Sequence, residues 1–107
     1  MEATTKSGNT ITLDTTHDTG FGFRPGDIVH FSKSLRNGKV ALIRGRADGL
    51  LWFSVFRTVE EAEAPAALQA PVDTASCRAK EEFLRQFGWV LDAKTNPAAR
   101  GAGAGAN

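Results

Sequence analysis

His17, next to Asp18, and His30 are the only imidazoles of this 107-residue chain, and Cys77 is its only thiol. A thiol beside an imidazole base is a nucleophile, and spacing alone permits a Cys77–His pair. Yet Cys77 falls at the start of a predicted helix, near Ala75 and Ala79, where a small buried residue suffices. One cysteine forms no internal disulfide and rules out a four-cysteine zinc clamp. A structural zinc site would have to borrow carboxylates, against the preference of closed sites for Cys and His. Glu60-Glu61-Ala62-Glu63 concentrates carboxylates, but no partner stands opposite them for acid–base work, so the run reads as a solvated turn. The expectation is a protein without catalytic residues, metal or cofactor.

Binding chemistry is better represented. Gly20-Phe21-Gly22-Phe23-Arg24 puts two aromatic rings on a glycine loop. Such rings stack on bases or clamp a peptide; the competing role for Phe21 and Phe23 is to plug an open end of the fold. The loop cannot cradle a phosphate, because no Gly-Lys-Ser/Thr and no helix N-terminus follows it. Residues 24–57 carry seven cations, Arg24, Lys33, Arg36, Lys39, Arg44, Arg46 and Arg57, against Asp27 and Asp48, within a chain of formal net charge +1. A basic patch built from Arg36, Lys39, Arg44 and Arg46 would suit RNA or an acidic partner. The alternative is a solvated face whose charges keep exposed strands from pairing.

The elements that must position these side chains are mostly strands. Ile11 and Leu13 alternate with Thr10 and Thr12, predicting a strand over 10–14. A turn-rich loop ends at Pro25-Gly26. Strands follow over 27–34, 39–46 and 50–57, separated by Asn37-Gly38 and Asp48-Gly49, both hairpin signals. Thr58 and Glu61 have capping-box spacing, and the Ala/Pro-rich stretch to Pro71 reads as a connector. A helix is predicted over 76–87, with Ala79, Phe83, Leu84 and Phe87 as its apolar stripe. Gly88 is placed to end it in the left-handed conformation with Trp89 folding back on Leu84, and a short strand is predicted over 89–92. Residues 1–9 read as a frayed N-terminus, 10–94 as one domain, and 95–107 as a flexible Ala/Gly-rich tail.

Register decides which face of the three-stranded meander is buried. A two-residue loop at Asp48-Gly49 pairs Arg46 with Leu51, Gly45 with Trp52 and Arg44 with Phe53. At Asn37-Gly38 a two-residue loop would pair Phe31 with Arg44; the preferred three-residue loop, with Gly38 as bulge residue, pairs Phe31 with Ile43 and His30 with Arg44. That register gathers Val29, Phe31, Ala41, Ile43, Trp52 and Phe56 on one face and turns His30, Arg44 and Arg46 outward, sparing the cost of burying unpaired charge. The outer face keeps Val40, Leu42, Leu51, Phe53 and Val55, so the helix, the connector, a partner or a second subunit must cover it. Phe53 beside Arg44 would form a cation–π pair.

Phe23-Arg24-Pro25-Gly26-Asp27-Ile28-Val29 followed by Asn37-Gly38-Lys39-Val40-Ala41-Leu42-Ile43 resembles the rhythm of KOW and Tudor-like modules. The order of elements over residues 10–92 resembles the Src-homology-3-like small β-barrel. The resemblance implies a mostly β barrel that binds peptides, modified tails, RNA or ribosomal partners without catalysis. The expected function is therefore a non-catalytic protein-interaction module, with an RNA-binding KOW-like module as the alternative. The expected contact residues are Phe21, Phe23, Arg24, His30, Arg36, Lys39, Arg44, Arg46 and Phe53. A protein or peptide is the expected partner, and a homodimer through the apolar outer face is a further option. Without an apolar run in residues 1–9 or a stretch of about 20 apolar residues, the expected location is the cytoplasm, with no membrane partner.

Overall fold

A computed structural model describes residues 1–16, 19, 22–33, 37–74, 81–86 and 88–91. It is a mostly β structure of two antiparallel sheets and short helices. The first sheet is the hairpin of β1 (Glu2–Thr4) and β2 (Thr10–Thr12), with Ala3 opposite Ile11. The second contains β3 (Ile28–Phe31), β4 (Val40–Ala47), β5 (Leu50–Phe56), β6 (Asp73–Thr74) and β7 (Trp89–Leu91), in the order β6-β5-β4-β3-β7.

Residues 1–9 are thus not a frayed arm. The Met1 ammonium donates to Leu13 O at 3.0 Å, and Leu13 N–H returns a bond to Met1 O. Ala3, Leu13 and Val72 form a small buried cluster against which Trp52 packs. Three strand residues, Glu2-Ala3-Thr4, are too few and too polar to show a period in the sequence.

The Asp48-Gly49 hairpin forms as its residues predict. Both have positive φ, 55° and 72°, and Ala47 faces Leu50, Arg46 faces Leu51 and Gly45 faces Trp52. Beyond Gly45 the ladder slips. Ile43, not Arg44, faces Phe53, so Arg44 is the extra residue of a β-bulge. A bulge exchanges the faces of everything beyond it. Leu51, Phe53 and Val55 therefore join Val29, Phe31, Ala41 and Ile43 in the main core, with Phe23, Leu84, Trp89 and Leu91. Trp52 and Phe56, expected there, lie on the opposite side.

The β3–β4 register also differs from expectation. Ile28 faces Leu42, Val29 faces Ala41 and His30 faces Val40. Phe31 N–H donates to Lys39 O, and Gly38 N–H to Phe31 O. Phe31 sits opposite Lys39 instead of Ile43, a displacement of four residues along β4. An even shift preserves which side chains face the core, so Val29 and Phe31 stay buried and His30 stays exposed. The displacement leaves room for Gly26 N–H to bond Ile43 O, and Ile43 N–H to bond Asp27 O, both at 2.8 Å. It also sets Phe31 opposite Trp89 on β7, where their rings meet edge to face at 4.9 Å between centroids.

The connector covers the second face. Thr58 caps α1 (Val59–Glu63): its hydroxyl accepts from Glu61 N–H at 3.2 Å, and the Glu61 carboxylate accepts from Arg57 N–H at 3.0 Å. A 3-10 turn follows at Pro65–Gln69. Together they form a strap that buries Ala62 and Ala67 against Ile28, Val40 and Leu42, with Val59 and Phe56 alongside. Of the helix expected over 76–87, α2 (Glu81–Gln86) is described; the remainder, with the tail, lies outside the described residues. Gly88 ends α2 at φ 86°, its N–H donating to Arg85 O.

The expected barrel does not close. Among the described residues β6 and β7 remain the two edges of an open five-stranded sheet. Residues 10–14 spend their pairing on β1, and among the described residues their one backbone bridge to the meander is Asp14–Arg46.

Candidate partner-binding surface

Three of the expected contact residues belong to the interior. Phe53 is fully buried and Phe23 nearly so. Trp89 gathers the aromatic residues: Phe53 and Phe31 meet it edge to face at 5.0 and 4.9 Å, and Phe23 stacks on it at 6.1 Å. Thr19 holds the loop closed, its N–H and hydroxyl both donating to Phe23 O. Phe23 is therefore the plug of the core. Phe21 lies outside the described residues, as do Arg36, His17, Asp18 and Cys77.

The third is Arg44. The bulge aims its side chain beneath the strap, where it is 3% exposed. Nη1 donates to Ser54 Oγ at 3.0 Å, Ala70 O at 2.9 Å and Ala67 O at 3.4 Å, and Nη2 donates to Leu68 O. Ser54 Oγ donates onward to Pro71 O at 2.9 Å. Nε is buried without an acceptor. The one ion pair between described residues joins Lys6 to Asp73, so no carboxylate among the described residues answers this cation. Burial pushes its pKa below the usual arginine value. Carbonyl dipoles at the C-terminal end of the 3-10 turn take the place of a counter-ion. The expected Phe53–Arg44 stack does not form, because the bulge sends the two side chains to opposite faces. Arg44 fastens the strap and is not a contact for RNA.

Arg24, His30, Lys39 and Arg46 are exposed. Lys39 and Arg46 stand near opposite ends of β4, roughly 23 Å apart at a strand's rise per residue. With Arg44 withdrawn, Lys39 and Arg46 are too far apart to share one patch.

His30 instead marks an apolar surface. Facing residues in an antiparallel sheet share a side, so Val90, His30, Val40 and Phe56 form one row across the outer face. The strap covers the Val40–Phe56 half of this row. His30 and Val90 stay exposed, Val90 at 50%. On the same sheet face a groove of about 360 Å³ opens between strap and sheet, with Ile28 and Leu42 as floor and Ala62, Glu63, Pro65 and Leu68 as wall. Leu68 is 52% exposed. Sequence reasoning missed Leu68 and Val90. The available signals were the one large aliphatic in the strap's Ala-rich second half and the alternation Trp89-Val90-Leu91, whose middle residue must face away from the core.

Among the described residues no three of His, Cys, Asp and Glu converge on a metal-sized site, and no helix is long and apolar enough to cross a membrane. No family model, no curated protein and no solved structure matches the chain.

Proposed function

We propose that this chain is a non-catalytic protein-interaction module that docks its partner on the half of the outer sheet face left open by the strap. One observation carries the proposal: half-exposed Leu68 walls a groove floored by Ile28 and Leu42, and half-exposed Val90 stands on the same sheet face. A strap that stops short of the sheet edge leaves apolar area for another protein to cover. The groove's volume lies at the lower end of those that hold a ligand or an anchoring side chain. Relation to the Src-homology-3-like modules is part of this proposal, with the meander retained and the barrel left open.

RNA is the competing partner, and the exposed Lys39 and Arg46 are what it would use. Their separation favours the apolar face. Selection of binders from a randomised peptide display library tests the choice. The expected result is a family of binders lost in Leu68→Asp and in Val90→Asp, with each variant's melting temperature within a few degrees of the parent. Binders indifferent to both changes, or salt-sensitive RNA affinity lost on Lys39→Ala and Arg46→Ala, would contradict it.

A further inference from the structure

The chemistry of the partner can be read from the groove's wall. Residues 58–70 contain Glu60, Glu61 and Glu63 and no lysine or arginine. All three glutamates are exposed, and Glu63 lines the groove. The Glu61 carboxylate accepts from Arg57 N–H, while Glu60 and Glu63 pair with no cation among the described residues. The strap's one buried cation contact, Arg44, lies beneath it, bonded to Ser54 and the strap carbonyls. It leaves the carboxylates facing outward unneutralised.

Resting on the docking surface proposed above, we infer that the groove takes an aliphatic or aromatic side chain from a protein segment that carries lysine or arginine beside that anchor. The anchor fills the space over Ile28 and Leu42 against Leu68, and the flanking cation meets Glu63 and Glu60. Charge complementarity excludes the other occupants. A polyphosphate backbone would bring anions to an anionic wall, as would anionic lipid headgroups. A second copy docked through this same face would bring a second acidic wall into the interface, because a two-fold contact repeats the same patch on both sides.

The probe is the randomised peptide library itself, selected against the full chain and then against Glu63→Lys. Selected sequences should place Leu, Ile, Met or Phe next to Lys or Arg. A synthetic peptide of the enriched sequence, read by fluorescence polarisation, should bind about three- to tenfold more weakly to Glu63→Lys, the range expected when an exposed attraction becomes a repulsion. Selection on Glu63→Lys should favour Asp or Glu beside the anchor. Leu68→Asp should abolish binding of every selected peptide. Four results would overturn the inference. Peptides lost in Leu68→Asp but indifferent to Glu63→Lys leave the docking surface standing and remove its charge preference. Acidic flanks selected by the parent chain reverse the assignment. Self-association in sedimentation that blocks peptide binding, or no selected peptide at all, removes the segment as occupant; the last result also removes the docking surface.

Discussion

Phe53 and Arg44 show how far a side chain's chemistry depends on one backbone irregularity. Both are plausible surface residues in a regular ladder, where they would face each other across β4 and β5. The bulge at Arg44 parts them, sending the ring to the core and the guanidinium beneath the strap. Phe53→Ala should therefore unfold the protein before it affects any partner, with a loss of about 3–5 kcal/mol in urea denaturation. Arg44→Met should cost about 1–3 kcal/mol, because it leaves strap carbonyls without donors. Arg44→Lys adds a pH signature. The wild-type guanidinium stays protonated at every accessible pH, so it contributes no slope there. A lysine in the same buried place binds its proton less tightly than in the unfolded chain. The unfolded state then holds more protons, and stability must rise with pH on approach to the unfolded value of about 10.4. Denaturation midpoints for Arg44→Lys should climb between neutral and alkaline pH relative to wild type; parallel profiles would show that the site is solvated. Gly45, next to the bulge, is fixed by space. A Cβ there would stand 2.7 Å from Asp14 O at a backbone φ of 150°, so Gly45→Ala should destabilise by about 1–3 kcal/mol.

Hairpins and helix ends were legible because their signals are local. Asp48-Gly49 shows both positive φ values, Thr58 caps α1, and Gly88 ends α2. The Val40–Leu42 face was also legible as one that needed a cover, and the connector supplies it. What escaped was register over distance. Asn37-Gly38 lies at the β4 end of the connection, and the closing bonds run between Phe31 and Lys39 or Gly38. The choice among these registers is made by β7, which brings Trp89 to Phe31 from almost sixty residues away. The bulge left only Gly45 as a trace, and glycine in a strand has several meanings. The strap depends on small residues in close approach. Ala67→Leu should overpack it and cost about 1–3 kcal/mol, whereas Thr58→Ala should cost about 1 kcal/mol through the lost cap; thermal unfolding of the two variants measures both.

The whole molecule distributes its charge in a way the sequence conceals. A run of cations along residues 24–57 loses Arg44 to the interior and leaves Lys39 and Arg46 near opposite ends of β4, while the acidic run on α1 ends at the rim of an apolar groove. The candidate site was legible as an outer face with too many apolar groups, and His30 was placed on it. Its anchors were not, because their exposure depends on where the strap stops. Amide chemical shifts of the labelled chain, titrated with a peptide selected from the library, locate the contact directly. Perturbations should gather at Ile28, Leu42, Glu63, Leu68 and Val90 and spare Lys39 and Arg46. Shifts concentrated at Lys39 and Arg46, with Leu68 and Val90 unmoved, would contradict a docking surface on the open half of the sheet.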